Sequence, residues 1–180
     1  EDRRAAQAVL PIGTGTDVVT LLGGHRLPHA FATLLSEPTR TVDAGLVRWA
    51  DTSEYFINGM GTGIDVEVVR QIARLPRMRG VAGYLVGVLR ALRVFEPIGA
   101  RLVVDGVERS GRVMIIALGN GVSQGGGFYL TPGASADDGR LDLCVISEMR
   151  MGRILRTLPR LLRGSHTGMA GVDTTQFRRL

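Results

Sequence analysis

Two stretches of this sequence carry the residue types that phosphoryl chemistry needs. One is Leu10-Pro11-Ile12-Gly13-Thr14-Gly15-Thr16-Asp17, and the other spans 119–142, GNGVSQGGGFYLTPGASADDGRLD. Each sets glycine backbone beside carboxylates. Glycine lets the main chain approach a phosphate closely, and successive N–H groups can cradle it. Carboxylates hold Mg²⁺ or take a proton from a hydroxyl. Gly13, Thr14 and Gly15 are therefore candidates for phosphate contact, with the Thr14 hydroxyl as an extra donor. Asp17 is a candidate for Mg²⁺ or the water around it. Asp137 and Asp138, before Gly139, could supply a general base or a metal ligand. Each group also has a purely structural reading: Thr16 or Asp17 as a helix N-cap, and Asp-Gly as a β-turn. Gly125, Gly126 and Gly127 cost conformational entropy beside apolar strands. They imply a sharp loop or close passage of backbone past a ligand.

The remaining constellations point to less. The first glycine loop has no lysine, so it is not a Walker A loop. Asn58 to Asp65 (NGMGTGID) is glycine-rich without the GxGxxG spacing, and Asp65 or Thr62 reads as the N-cap of a helix from Val66. His25, His29 and His166 are scattered without metal spacing. Cys144, alone in an apolar run, reads as a small buried hydrophobe. A single cysteine permits no internal disulfide and fits a reducing compartment.

The elements that must position these groups come from patterning. Residues 4–12 read as a lead-in and a buried strand end, followed by a glycine loop and a helix beginning at Val18. A second short helix is expected over 28–36. From about residue 41 strand alternation takes over, in 41–49 and 54–58 with a turn at 51–53. Gly59–Gly63 reads as a loop. Residues 64–94 read as two helices with a break near 76–80. Strands are expected at 100–104 and 112–118 around the hairpin signal Asp105-Gly106. A further strand is expected at 141–147, then an amphipathic helix over 151–163 interrupted by Pro159, and a last strand from Val172. The fold class is α+β: a remnant of an α/β nucleotide-binding domain over 1–40, then a mainly antiparallel β-sandwich with a helical insertion over 41–180.

Composition bounds the partners. The chain has 180 residues, 44% of them hydrophobic and 5% aromatic, with a net charge of +5. Every basic residue is Arg, whose planar fork suits phosphate and carboxylate; codon bias gives the same composition. A basic balance fits an anionic membrane, a nucleotide or a nucleic acid. Val81 to Phe95 is too short for a transmembrane helix and holds Arg90 and Arg93.

In this order the segments resemble the diacylglycerol kinase and sphingosine kinase family of lipid kinases, in its bacterial soluble branch. Leu10 to Asp17 is similar to the family's PxGTxND stretch, and Val42-Asp43 to its VD-type strand start. Asn58 to Asp65 is similar to NxxGxG(I/F)D, residues 119–142 to GNG…GGGF…DDG.LD, and Arg163 to His166 to RGxH. The family's GGDGT and late DGE motifs are absent, so the chain resembles a fragment holding most of the acceptor-side domain. The resemblance implies ATP- and Mg²⁺-dependent phosphorylation of a lipid hydroxyl, diacylglycerol-like or sphingoid. Gly13, Thr14 and Gly15 would line the nucleotide phosphates and Asp17 would belong to the Mg²⁺ network. Asp138 would be the general base, with Gly125, Gly126 and Gly127 shaping the substrate cleft. Acyl chains would lie against the helical insertion 66–95. The implied partners are the lipid, an anionic membrane touched peripherally from the cytoplasm, and a second copy in a homodimer; nucleic acid is not among them. Thr16 replaces the family Asn. Arg93 stands where the family often has an acidic residue of a structural Mg²⁺ loop, so that site is not carried over. A non-catalytic lipid-binding module and an NAD kinase relative are the rival readings.

Overall fold

One long strand organises the computed structural model, which describes residues 7–12, 16–23, 39–75 and 80–180. The elements, in chain order, are α1 (Asp17–Leu21), β1 (Gly45–Trp49), β2 (Thr52–Phe56), β3 (Gly59–Gly63), α2 (Ile64–Ala73), α3 (Gly80–Val94), β4 (Ile98–Val104), β5 (Val107–Gly119), β6 (Leu141–Ser147), α4 (Met151–Leu161) and β7 (Val172–Phe177). Gly13, Thr14 and Gly15, the helix expected over 28–36 and residues 76–79 of the expected break lie outside the described residues.

The long strand is β5. Along one edge it pairs with β4 over its first half and with β3 over its second. Along the other edge it pairs with β6, and β7 continues the sheet beyond β6. β1 and β2 form a separate hairpin. Every pairing among the described residues is antiparallel, and helices are set between the strands, as the α+β expectation requires. The β4–β5 turn uses Asp105 and Gly106 at φ 46° and 86°. Two left-handed residues give the turn twist that matches paired strands, so the sequence signal and the geometry agree.

The sheet is buried on both faces along its centre. In β6, Leu143 and Val145 enter one core while Cys144 and Ile146 enter another. That is the strand period of two. β5 carries a register shift between Val113 and Ile115. The extra residue lets Val113 and Ile116 share a face, while Met114 and Ala117 meet the helices on the other. α2 and α3 pack there through Val68, Val88, Ala91 and Leu92.

Four local expectations need correcting. Residues 7–12 form no strand, and Val9 and Ile12 are 43% and 78% exposed. Gly59–Gly63 is the strand β3 rather than a loop, paired from Gly59↔Gly119 to Gly63↔Ile115. Its glycines serve close packing: a Cβ at Gly59 would lie 2.5 Å from Gln124 Nε2, and one at Gly61 2.5 Å from Asp65 Oδ2. α2 begins at Ile64, where the helical reading of 64–94 puts it, and not at Val66 as the N-cap reading has it. Gly63, at φ 121°, is its N-cap, and neither Thr62 nor Asp65 holds that place. Lastly, α4 runs through Pro159 to Leu161. The carbonyl that loses a donor to Pro159 belongs to Leu155, which faces solvent, so water can satisfy it.

Cys144 is fully buried, as expected of a small hydrophobe. Burial, with the Asp173 charge second, pushes its thiol up to about 12. Its Sγ lies 3.9 Å from Nε2 of the buried His166, which is 3.2 Å from the Leu130 carbonyl.

Candidate active site

The acidic and glycine-rich residues collect at one end of the sheet, where β5 ends, β6 begins and β3 begins. Two asparagines fasten the loops there. Asn58 accepts at its carbonyl from the N–H groups of Asn120 (2.9 Å) and Gly121 (2.8 Å). Its side-chain amide donates to the Ser123 carbonyl at 2.9 Å. Asn120, fully buried, donates through Nδ2 to the carbonyls of Asp43 and Ile57, both at 2.8 Å. A Cβ on Gly121 would collide with Asn58 Oδ1.

Asp17 opens α1, and its carboxylate is held by the loop after β5. Oδ1 accepts from Ser123 Oγ at 2.8 Å and from Gly127 N at 3.1 Å. Oδ2 accepts from Gly126 N at 2.7 Å. Gly125, Gly126 and Gly127 have φ of 66°, 84° and 107°. Three consecutive left-handed residues are strained for anything but glycine, and here the second and third turn their N–H groups onto one carboxylate. The loop is closed by a two-way bridge between Gln124 and Phe128. The two motifs are thus one structure, and the triple glycine is a clasp for Asp17.

Asp138 is exposed and lies at the start of β6. Its Oδ1 accepts from Arg140 N at 2.9 Å, and its Oδ2 from Gln176 Nε2 at 3.1 Å. The same Gln176 amide lies 3.4 Å from Asp142 Oδ2. Burial, opposed by the Gln176 hydrogen bond and aided by the Asp138 charge, raises the Asp142 carboxyl above its ordinary value. Asp137 instead accepts from Ser135 Oγ at 2.8 Å. Asp43 completes the cluster: its N–H donates to the Ala136 carbonyl at 2.6 Å and its Oδ2 accepts from Gly139 N at 2.7 Å. Hydrogen bonds therefore run without interruption from Asp17 through Ser123, Asn58, Asn120 and Asp43 to the Asp138-Gly139 turn. A chain of this kind fixes the two acidic groups relative to each other.

Beside the clasp lies an apolar cavity of about 470 Å³. The sheet and α2, α3 and α4 wall it, with Val68, Val88, Leu92, Ile154 and Leu158 among the lining. Its polar groups are few: Asp65, Gln124, Thr157 and the Gly125 backbone. Gln124 and Asp65 sit over Gly59 and Gly61, two positions apart on one face of β3. The Asp65 carboxyl is raised by burial, partly offset by N–H groups at the start of α2, and its Oδ1 has no hydrogen-bond partner. Gly125 thus faces the cavity while its two successors hold Asp17.

The donor set fits Mg²⁺ in one respect. A carboxylate offers about four acceptor positions, and donors among the described residues occupy three of those on Asp17, leaving one on Oδ2 among those residues. That suits a single bond to a hydrated ion, and Mg²⁺ is usually held by one or two carboxylates plus waters and substrate phosphates. Among the described residues no group of three or more His, Cys, Asp or Glu could hold a metal by itself. Likewise, no helix among them is long and apolar enough to cross a membrane.

Sequence reasoning missed Asp43, Asn58, Asn120, Ser123 and Gln176 as parts of this site. Four of them lie in the segments whose spacing was noted, and two of these, Asn58 and Asn120, stand next to glycines at strand ends. Gln176 has no local signal, because only pairing of β7 with β6 brings it to Asp138.

Comparison with known proteins agrees with this architecture. A protein from Chromohalobacter salexigens named "Probable lipid kinase YegS-like" is 33% identical over 160 residues, covering 87% of this chain and 50% of that protein. A diacylglycerol kinase from Mycobacterium tuberculosis is 30% identical over 174 residues, covering 94% and 56%. The chain spans about half the length of the curated relatives it matches. The crystal structure of a diacylglycerol kinase from Bacillus anthracis superposes with a TM-score of 0.69 at 22% identity, over 98% of this chain and 57% of that one, which shows a shared fold. Residues 58–180 match the family described as the YegS C-terminal NAD kinase beta sandwich-like domain, and the chain belongs to that family.

Proposed function

We propose that this chain is the acceptor-side part of a kinase that phosphorylates a lipid hydroxyl with ATP and Mg²⁺. The observation that carries the reading is the continuity of the apolar cavity with the Asp17 clasp through Gly125, Gly126 and Gly127. An amphiphile whose chain fills the cavity has its polar end beside Gly125, one residue from the donors that hold Asp17. The cavity volume is in the usual range for small-molecule sites, with an apolar lining and few polar groups.

The residues then divide the work. Asp17 is locked by three donors and keeps one acceptor position toward the metal. Gly13, Thr14 and Gly15 contact the nucleotide phosphates. Bound Mg²⁺–ATP supplies the transferable phosphoryl group and the neutralisation of its charge. Asp138 takes the proton of the acceptor hydroxyl, held in orientation by Arg140 N and Gln176. Asp43 fixes the turn that carries Asp138. Positioning and charge complementarity do most of the catalytic work in such transfers. The substrate sits in a membrane, so the protein works at an anionic bilayer from the cytoplasmic side.

A second reading has an observation of its own. Apolar side chains of this chain line the cavity from the sheet and three helices, so a lipid-binding module without catalysis is a distinct alternative. The apolar lining argues against a ribose acceptor of the NAD kinase type. Transfer of labelled phosphate from ATP by the full-length protein to diacylglycerol, a sphingoid base or NAD separates the three readings. Lipid product supports the proposal. NAD product, or lipid binding without transfer, refutes it.

A further inference from the structure

Helix α4 has three faces. At 3.6 residues per turn, Ile154, Thr157, Leu158 and Leu161 point inward and line the cavity. Next to them Met151, Leu155, Pro159 and the following Leu162 form an apolar stripe that faces solvent; Leu155 is 51% exposed and Leu162 46%. Beyond that stripe Arg153, Arg156, Arg160 and the following Arg163 form a basic stripe, all exposed. No acidic residue lies between Arg150 and Arg163. Among the described residues none of these arginines has an ion-pair partner. On α2, across the cavity, Val66 and Val69 line the pocket and are 40% and 67% exposed.

Two exposed stripes, one apolar and one cationic, side by side on a single helix are the pattern of a helix lying in a membrane interface. Arg side chains reach sideways to headgroups while the apolar stripe enters the acyl boundary. We propose that α4 docks the protein on an anionic phospholipid bilayer and that its inward face forms the wall past which the lipid enters the cavity. The charge complementarity of an unpaired basic stripe selects a bilayer over an apolar protein groove. The inference rests on the lipid reading of the cavity, but its test does not depend on catalysis.

The test is co-sedimentation of the full-length protein with vesicles of pure phosphatidylcholine and with vesicles rich in phosphatidylglycerol. R156E/R160E and L155S/L162S are compared with the parent, with circular dichroism melting to confirm folding. None of these four side chains lines the cavity. The parent should prefer the anionic vesicles, and added salt should weaken its binding. R156E/R160E should lose at least about thirtyfold in anionic-vesicle affinity, since each basic residue near such a surface contributes several-fold. L155S/L162S should weaken binding to both vesicle types. Phosphorylation of detergent-dispersed lipid should be unchanged in both variants, while phosphorylation of vesicle lipid falls. Equal binding of parent and R156E/R160E to anionic vesicles overturns the proposal. So does a change confined to self-association or to binding of a protein. If the parent phosphorylates no dispersed lipid yet R156E/R160E still loses vesicle binding, docking stands and the kinase reading fails.

Discussion

The main-chain N–H of Gly126 donates to Asp17 Oδ2 at 2.7 Å, across 109 positions of sequence. Ser123 Oγ and Gly127 N donate to the other carboxylate oxygen. A glycine-rich loop next to an acidic residue suggests phosphate binding; here two of the three glycine N–H groups are already committed to a carboxylate. The loop therefore orients the metal-binding candidate instead of the phosphate itself. Asp17→Ala leaves three donors without their acceptor. Because the site is part-exposed, water recovers some of the loss, and urea unfolding should show a cost of about 2 kcal/mol. Asp17→Asn, which keeps an acceptor oxygen, should cost less.

Filling the cavity tests its use. Val68 is buried and lines it. Val68→Phe removes room for about two methylenes, each contributing about 0.8 kcal/mol. Affinity for a long-chain fluorescent lipid should fall by roughly tenfold, while a short-chain analogue loses much less. Fluorescence titration of the two probes checks this, and an equal loss for both contradicts an acyl role.

His166 makes stability depend on pH. Burial lowers its basicity, partly offset by the Leu130 carbonyl. The unfolded chain then binds a proton near the ordinary value of about 6.5 while the folded chain does not. Stability should therefore hold above that value and fall as pH drops below it, by up to about 1.4 kcal/mol per unit. His166→Gln keeps a donor toward Leu130 and should flatten the profile. Urea midpoints between neutral pH and mild acid, parent against variant, give the difference.

Asp65 works in the opposite sense. Burial raises its carboxyl above the ordinary value, so the ionised group opposes folding at neutral pH. Asp65→Asn should stabilise the protein by about 1 kcal/mol at neutral pH. The gain should shrink as pH falls through the raised value and the parent carboxyl protonates. Thermal unfolding of both proteins across that range checks it.

Much of this is legible in the sequence where local rules dominate. Asp105-Gly106 marks the β4–β5 turn because two left-handed residues in a row admit few residue types. Leu141–Ser147 is readable whole as β6 from its apolar run. The failures share a cause. β3 reads as a loop because Gly59, Gly61 and Gly63 have no strand propensity of their own; pairing with β5 and the side chains of Gln124 and Asp65 above them make it a strand. Asp65 reads as a cap because its burial in a cavity wall depends on three helices and a sheet. Gln176 carries no signal at all, since β7 reaches Asp138 only through β6.

The central claim is that the Asp138 turn delivers the base for a lipid hydroxyl. Asp138→Asn and Asp137→Asn in the full-length protein differ by one position and by partners: Asp138 faces Gln176 and Arg140, while Asp137 is tied to Ser135. Labelled phosphate transfer from ATP to a dispersed lipid should fall by roughly a thousandfold or more in Asp138→Asn, within the range a positioned base contributes. It should stay within a few-fold of the parent in Asp137→Asn. Near-normal transfer by Asp138→Asn, with the fold intact by circular dichroism, would contradict the account.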